Sequence, residues 1–127
     1  DGQFLIVDAG YNLLLDSALM NQEYPIDIIT KSKRMTYDNI KIGGRLCDTL
    51  DVFKIPFNKK YPSAHVNDLV IFRNAGAYSI VFNMPFHCQT KPSIVLRRTD
   101  KSVEVIRQSE SIEDLFNTEG GNTILQI

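Results

Sequence analysis

One short stretch of the sequence combines a thiol with carboxylates, residue types that can move protons and hold amines. The segment Gly43–Asp51 reads GGRLCDTLD, with Cys47 directly before Asp48. A thiol can donate and regain a proton near neutral pH, and two preceding glycines allow a tight turn that would aim it. The competing interpretation is a buried structural cysteine, the commoner state of a free cysteine. Taken alone, the segment favours that competing interpretation.

A second candidate is the segment Asn74–Tyr78, which reads NAGAY. Its small residues would let another backbone approach closely, and the Tyr78 hydroxyl could donate a hydrogen bond to a phosphate oxygen. A β-bulge or sheet corner with the tyrosine packed at its edge would need the same residues. Without other information, the second interpretation is favoured here as well.

The elements that would position these residues are mostly strands. Apolar and β-branched runs bounded by turn residues predict strands at Phe4–Val7, Ile26–Thr30, Leu69–Phe72, Tyr78–Phe82, Ile94–Leu96, Val103–Ile106 and Thr123–Ile127. Two short helices are predicted, at Leu13–Met20 and at Ser111–Phe116, where Ser111 would be the N-cap and Asp114 its capping-box partner. The pattern predicts an all-β fold, a barrel or sandwich with one or two short helices.

Composition narrows the classes of partner. The chain has 127 residues and 14 Lys and Arg against 15 Asp and Glu, which argues against a nucleic-acid surface or an anionic membrane surface. No apolar run approaches a membrane span, and no signal peptide is visible. Two cysteines cannot form a disulfide framework, so we expect a cytoplasmic protein. The spacing of the Cys and His residues does not suit zinc, and we expect no metal site.

The order of the motifs is more informative than any one of them. Asp8–Asn12 reads DAGYN, Cys47–Asp51 reads CDTLD, and Gly76–Tyr78 reads GAY. In this order and spacing they resemble the C-terminal part of the fold type III pyridoxal-phosphate-dependent decarboxylases of ornithine, diaminopimelate and arginine. The resemblance covers the chain from about Phe4 to Phe116.

That resemblance implies a whole architecture. Residues 1–127 would form the C-terminal β-barrel or sandwich domain, and the (β/α)₈ barrel that carries the cofactor lysine is absent from this chain. The protein would use pyridoxal 5'-phosphate, act on a small amino acid and pair head to tail as a homodimer with its active sites at the interface. We expect the chain alone to fold but to be inactive.

The resemblance also implies roles for individual residues. Tyr78 would donate a hydrogen bond to the cofactor phosphate, and Cys47 from the partner subunit would reprotonate the substrate α-carbon after carbon dioxide leaves. Asp48 would pair with the distal amino group of the substrate, while Met20 and Phe86 would line the substrate pocket.

Several positions depart from the family pattern. Diaminopimelate decarboxylases look like Arg-Pro-x-x-Tyr where this chain has Asp16–Met20, so the groups that would hold a distal carboxylate are missing. Asp16 would repel such a carboxylate. Arg45 also replaces a usual proline. The substrate, whether diaminopimelate, ornithine or a third amino acid, therefore stays open.

Two alternative functions remain. A non-catalytic homologue acting as a binding or regulatory protein is suggested by the changes at Asp16 and Met20, although retention of Cys47, Asp48 and Tyr78 argues against it. A racemase of the same fold type would not be expected to use the CDTLD element and ranks last.

Overall fold

The computed structural model describes residues 2–57, 59–117 and 119. The chain divides into two compact units, residues 1–83 and 84–127. The strands are β1 Gln3–Ile6, β2 Ile26–Ile29, β3 Thr36–Tyr37, β4 Ile40–Gly43, β5 Val52–Phe53, β6 Tyr61–Pro62, β7 Leu69–Phe72, β8 Ile94–Arg97 and β9 Val103–Arg107. The helices are α1 Leu15–Met20, α2 Ser79–Phe82 and α3 Ile112–Phe116, with 3-10 turns at Tyr11–Leu13 and Phe86–Cys88. Within these ranges, no helix has the length and apolar character needed to cross a membrane.

The first unit is built from small sheets. β1 runs parallel to β4, which pairs antiparallel with β5, and β2–β7 and β3–β6 are antiparallel pairs. Alternate side chains of β2 and β4 point inward and bury Ile26, Ile28, Ile40 and Ile42, as expected for strands with one buried face. The all-β class predicted from the sequence is confirmed. Closure of these sheets into a barrel stays a prediction.

One predicted strand is wrong. Tyr78–Phe82 was predicted as a strand, but Ser79–Phe82 forms α2, and the Tyr78 carbonyl accepts hydrogen bonds from the N–H groups of Val81 and Phe82 at 3.1 and 2.9 Å. A short apolar run fits a helical turn as well as a strand, because periodicity needs a longer window to separate them. The predicted strand at 123–127 lies outside the described residues.

The second unit contains a hairpin and a capped helix. β8 pairs antiparallel with β9, with a register shift between Ile94 and Val95. Before α3, the Ser111 hydroxyl accepts from the Asp114 N–H at 3.2 Å, and the Asp114 carboxylate accepts from the Ser111 N–H at 2.8 Å. The hairpin and the capping box predicted from the sequence are both confirmed.

Candidate functional site

The buried carboxylate of Asp51 holds the cysteine loop in place. Its Oδ1 accepts from the Tyr11 N–H at 2.7 Å, and its Oδ2 accepts from the Leu46 N–H at 2.6 Å. The Asp51 carbonyl also accepts from the Gly44 N–H at 2.9 Å. One side chain therefore joins the loop 44–51 to the turn that follows β1. Two motifs 40 residues apart in the sequence meet at this carboxylate.

Two glycines make this approach possible. A Cβ on Gly44 would lie 2.3 Å from both Asp51 carboxylate oxygens, and a Cβ on Gly10 would lie 2.5 Å from Leu46 Cγ. Neither glycine has a positive φ angle. The requirement for glycine at these positions is therefore one of space, because the two segments touch where a side chain would stand.

Cys47 is exposed on this clamped loop. The interpretation of Cys47 as a buried core cysteine is therefore wrong. Leu46, the residue before it, is buried and hydrogen-bonded to Asp51, so the backbone beneath the thiol is fixed while the thiol itself faces outward. The arrangement can present a proton donor to a ligand or to another subunit.

Asp48 is oriented by two hydrogen bonds. Its Oδ2 accepts from the Tyr11 hydroxyl at 3.3 Å, and its Oδ1 accepts from the Leu50 N–H at 2.7 Å. Burial, and next the neighbouring Asp48 carboxylate, raise the pKa of Tyr11 above its ordinary value, so the phenol stays a neutral donor at physiological pH. Each Asp48 oxygen keeps a further lone pair that could accept from a ligand amine.

Tyr78 lies elsewhere in the first unit, at the start of α2. Its side chain is 63% exposed, which rules out a tyrosine packed at a sheet edge, and it stacks on Phe82 with ring centroids 5.7 Å apart. It borders a cavity of about 220 Å³ that Gly76 also lines. The expected close approach of another backbone is not found within the described residues, because a Cβ on Gly76 would meet nothing within 4 Å.

The same cavity contains a carboxylate that sequence reasoning had considered only as a departure from the family. Asp16 and Tyr24 are both buried and line it, and the Tyr24 hydroxyl donates to Asp16 Oδ2. Burial, and next the hydrogen bond to Asp16, raise the pKa of Tyr24 above its ordinary value. Neither Cys47 nor Asp48 is among the described residues that line this cavity.

The other predicted substrate contacts are accessible to different degrees. Met20, at the end of α1, is 57% exposed. Phe86 is half-buried in the second unit and stacks on His87, with ring centroids 4.1 Å apart. Sequence reasoning assigned no role to Asp51, although its position at the end of the CDTLD motif was a signal. Nothing in the sequence pointed to Ser79.

Comparison with known proteins identifies the family. Residues 1–76 match the family described as pyridoxal-dependent decarboxylase, C-terminal sheet domain. The diaminopimelate decarboxylase of Methanothermobacter thermautotrophicus is 29% identical over 114 residues, which are 90% of this chain and 26% of that protein. That of Helicobacter pylori is 30% identical over 118 residues, which are 92% of this chain and 28% of that protein.

Comparison with solved structures shows the same similarity. The diaminopimelate decarboxylase of Helicobacter pylori complexed with L-lysine superposes with a TM-score of 0.79 at 28% identity, over 91% of this chain and 28% of that one. A protein from Aquifex aeolicus gives a TM-score of 0.83 at 23% identity, over 94% of this chain and 28% of that one, which shows the shared fold. The chain spans between a quarter and a third of the length of these relatives. It belongs to the pyridoxal-dependent decarboxylase family, as the C-terminal sheet domain of that family.

Proposed function

We propose that this chain is part of an amino-acid decarboxylase that uses pyridoxal phosphate, in which Cys47 delivers the proton that replaces carbon dioxide on the substrate α-carbon. The observation that carries the proposal is the exposed Cys47 thiol on a loop fixed by Asp51. A proton donor works best when its backbone cannot move and its acidic group reaches solvent or ligand. Membership of the decarboxylase family supports the assignment.

Asp48 is the proposed partner of an amino group on the substrate. The hydrogen bonds from Tyr11 and Leu50 fix its orientation before any ligand arrives, which lowers the entropy cost of binding. A carboxylate held in this way recognises an ammonium group through charge-assisted hydrogen bonds. Met20, in the same unit as Asp48, is proposed to contribute an apolar contact to the substrate. The role of Phe86 in lining the substrate pocket stays a prediction. The Helicobacter relative was crystallised with L-lysine, a ligand that carries such an amino group.

Tyr78 is the proposed contact for the cofactor phosphate. Its exposed side chain offers one neutral hydrogen-bond donor, and nothing crowds Gly76 beside it. The neighbouring cavity carries the negative charge of Asp16, so the phosphate is assigned to the exposed hydroxyl of Tyr78 and not to the cavity. Bound pyridoxal phosphate supplies an electron sink for the bond that breaks when carbon dioxide leaves.

The experiment replaces Cys47 by Ala in the full-length protein. Because general acid catalysis contributes on the order of 10²–10⁴ in rate, we expect the decarboxylation rate to fall about a hundredfold or more. Because the thiol is exposed, the melting temperature should change little. The matched control is Cys88→Ala, which removes the other exposed cysteine and should keep full activity. Unchanged activity of Cys47→Ala would exclude the proton-donor role.

The proposed homodimer, with Cys47 acting in the partner's active site, has its own test. Full-length Cys47→Ala and Tyr78→Ala proteins are each expected to be nearly inactive. A mixed dimer would contain one site with both residues intact, so mixing and reassembly should restore roughly a quarter of the wild-type activity. Activity no higher than the sum of the two variants would place Cys47 and Tyr78 in a site formed by one subunit.

A further inference from the structure

Tyr11 is bonded to the cysteine loop through its backbone and through its side chain. Its backbone N–H donates to Asp51 Oδ1 at 2.7 Å, and its hydroxyl donates to Asp48 Oδ2 at 3.3 Å. Its carbonyl accepts from the Leu14 N–H at 2.9 Å, which closes the 3-10 turn that Tyr11 begins. The residue is only 5% exposed, so its ring is packed in the interior. The position of the hydroxyl is therefore fixed by contacts other than the one with Asp48.

Asp48 has two hydrogen bonds that act on different oxygens. The Leu50 N–H donates to Oδ1 at 2.7 Å, a contact between residues two apart in the loop itself. Such a local bond holds one oxygen and leaves the carboxylate free to turn about it. The Tyr11 hydroxyl holds the second oxygen from a position 37 residues earlier in the chain. With both oxygens held, the plane of the carboxylate is fixed against the first unit.

This restraint matters for any amine that Asp48 binds. A carboxylate in one orientation accepts an ammonium group at one place, so a ligand with one methylene too many or too few has to bend or lose the hydrogen bond. A carboxylate that can turn follows the amine of either ligand. Without the Tyr11 hydroxyl, water can solvate the second oxygen, because Asp48 is only partly buried. A water molecule is not attached to the fold and does not fix the plane.

We propose that Tyr11 is a positioning residue that acts through Asp48, and that its hydroxyl makes the site selective for the length of the substrate. The inference rests on the proposed contact between Asp48 and an amino group of the substrate. Tyr11 itself touches no reacting atom. The proposal gives a function to a side chain of the DAGYN motif for which the family resemblance implied none.

The first experiment replaces Tyr11 by Phe in the full-length protein, which keeps the buried ring and removes the hydroxyl. Calorimetry compares putrescine with cadaverine, two diamines that differ by one methylene. We expect the wild-type protein to distinguish them by about tenfold in Kd, the effect of one methylene in a well-defined site, and Tyr11→Phe to reduce that ratio at least about threefold. The comparison is a ratio, so a smaller folded fraction of the variant does not change it. An unchanged ratio overturns the inference.

Kinetics provide a second measurement on the same variant, with whichever of L-lysine, L-ornithine and meso-diaminopimelate the protein decarboxylates fastest. KM should rise about fivefold and kcat should change little, because Asp51 still holds the loop that presents Cys47. The control Tyr61→Phe also removes the hydroxyl of a buried tyrosine, one that donates at 3.5 Å to the Pro56 carbonyl, and should leave KM and the diamine ratio unchanged. Equal changes in the two variants would mean that any buried tyrosine hydroxyl has this effect and would overturn the inference.

A double-mutant cycle tests whether Tyr11 acts through Asp48. In an Asp48→Ala protein the hydroxyl has no carboxylate to hold, so adding Tyr11→Phe should raise KM less than twofold further. Two separate effects that multiply would mean that Tyr11 acts by another route, and would overturn the inference.

The same variants separate this inference from the function on which it rests. If Asp48→Ala changes neither KM nor diamine affinity, the proposed contact of Asp48 is wrong and the role of Tyr11 is wrong with it. If Asp48→Ala raises KM and Tyr11→Phe does not, only the role of Tyr11 is wrong. If the full-length protein decarboxylates no amino acid but its diamine selectivity depends on Tyr11, the proposed function is wrong and the positioning role is supported.

Discussion

At the scale of single residues, Asp51 is the group on which the cysteine loop depends. Both of its carboxylate oxygens accept from backbone N–H groups, those of Tyr11 and Leu46. In Asp51→Asn one of those oxygens becomes an NH₂ group that faces an N–H donor, leaving buried donors without an acceptor. We expect a loss of about 3 kcal/mol in the free energy of unfolding, measured by urea denaturation of the chain.

The control for this prediction is Asp100→Asn. The Asp100 carboxylate also accepts hydrogen bonds, from the N–H and hydroxyl of Ser102, but on an exposed turn where water can replace them. Its urea midpoint should move much less than that of Asp51→Asn. Equal shifts for the two variants would mean that Asp51 does not act as a buried clamp.

Gly44 and Gly76 form a matched pair for a second residue-scale prediction. Neither has a positive φ angle, so replacement by Ala tests space alone. A Cβ on Gly44 would lie 2.3 Å from the Asp51 carboxylate, whereas a Cβ on Gly76 would meet nothing within 4 Å. We expect Gly44→Ala to lower the free energy of unfolding by about 2 kcal/mol or more and Gly76→Ala to be nearly neutral. Similar urea midpoints for the two variants would contradict the close packing at Gly44.

These residues also mark how far sequence reasoning reaches at this scale. The residue types at Cys47, Asp48 and Tyr78, in their order, were sufficient to indicate the family. Their environments were not, because exposure depends on contacts between distant segments. Considered without its structural context, Cys47 was interpreted as a buried cysteine. In the structure its thiol is exposed, and the neighbouring Leu46 is the residue that is buried. The clamp of Asp51 on Tyr11 joins positions 40 residues apart, and no local pattern records such a contact.

At the scale of secondary structure, α3 depends on its capping box. The helix has only five residues, too few to be stable by propensity alone, so the two hydrogen bonds between Ser111 and Asp114 are a large part of what defines it. Loss of an N-cap serine costs about 1 kcal/mol. In Ser111→Ala we therefore expect the Asp114 amide to exchange its hydrogen about fivefold faster, as measured by NMR.

The internal control is the hairpin β8–β9. Its amides are held by cross-strand pairing, such as that between Arg97 and Val103, and should keep their exchange rates in the same sample. Faster exchange in the hairpin as well would mean that Ser111→Ala destabilises more than the helix, and an unchanged Asp114 rate would mean that the capping box does not protect it.

The elements differ in how well the sequence predicted them. β1, β2, β7 and the β8–β9 hairpin were predicted because each combines β-branched residues with turn residues at both ends. The two-residue strands β3 and β6 carry no periodicity that a window could detect, and they exist because each pairs with the other. The segment Ser79–Phe82 has strand-forming residues, yet it forms the single helical turn α2, which ends at Asn83, where the backbone is no longer helical.

At the scale of the whole chain, ionisation favours the folded state over a middle range of pH. On the acid side, hydrogen bonds from the backbone N–H groups of His65 and Lys91 lower the pKa values of Asp68 and Glu110, with ion pairs to Arg34 and Lys91 adding to the effect. A carboxyl group with a lowered pKa in the folded state adds stability above its ordinary pKa, and that stability is lost as the pH falls.

On the alkaline side, three buried tyrosines make the stability of the folded state fall as the pH rises. Burial raises the pKa values of Tyr11, Tyr24 and Tyr61 above the ordinary value of 10.0, with neighbouring carboxylates adding to each shift. A raised pKa in the folded state gives stability that is complete below the unfolded value and lost as the pH rises through the folded one.

The chain should therefore lose stability above about pH 10, as phenols ionise first in the unfolded chain. Tyr61→Phe tests this, because among the described residues the Tyr61 hydroxyl makes a single long hydrogen bond, 3.5 Å, to the Pro56 carbonyl. Urea denaturation at pH 8 and pH 11 should show a smaller drop in the free energy of unfolding for Tyr61→Phe than for the wild-type chain, and equal drops would exclude Tyr61 as a source of the alkaline instability.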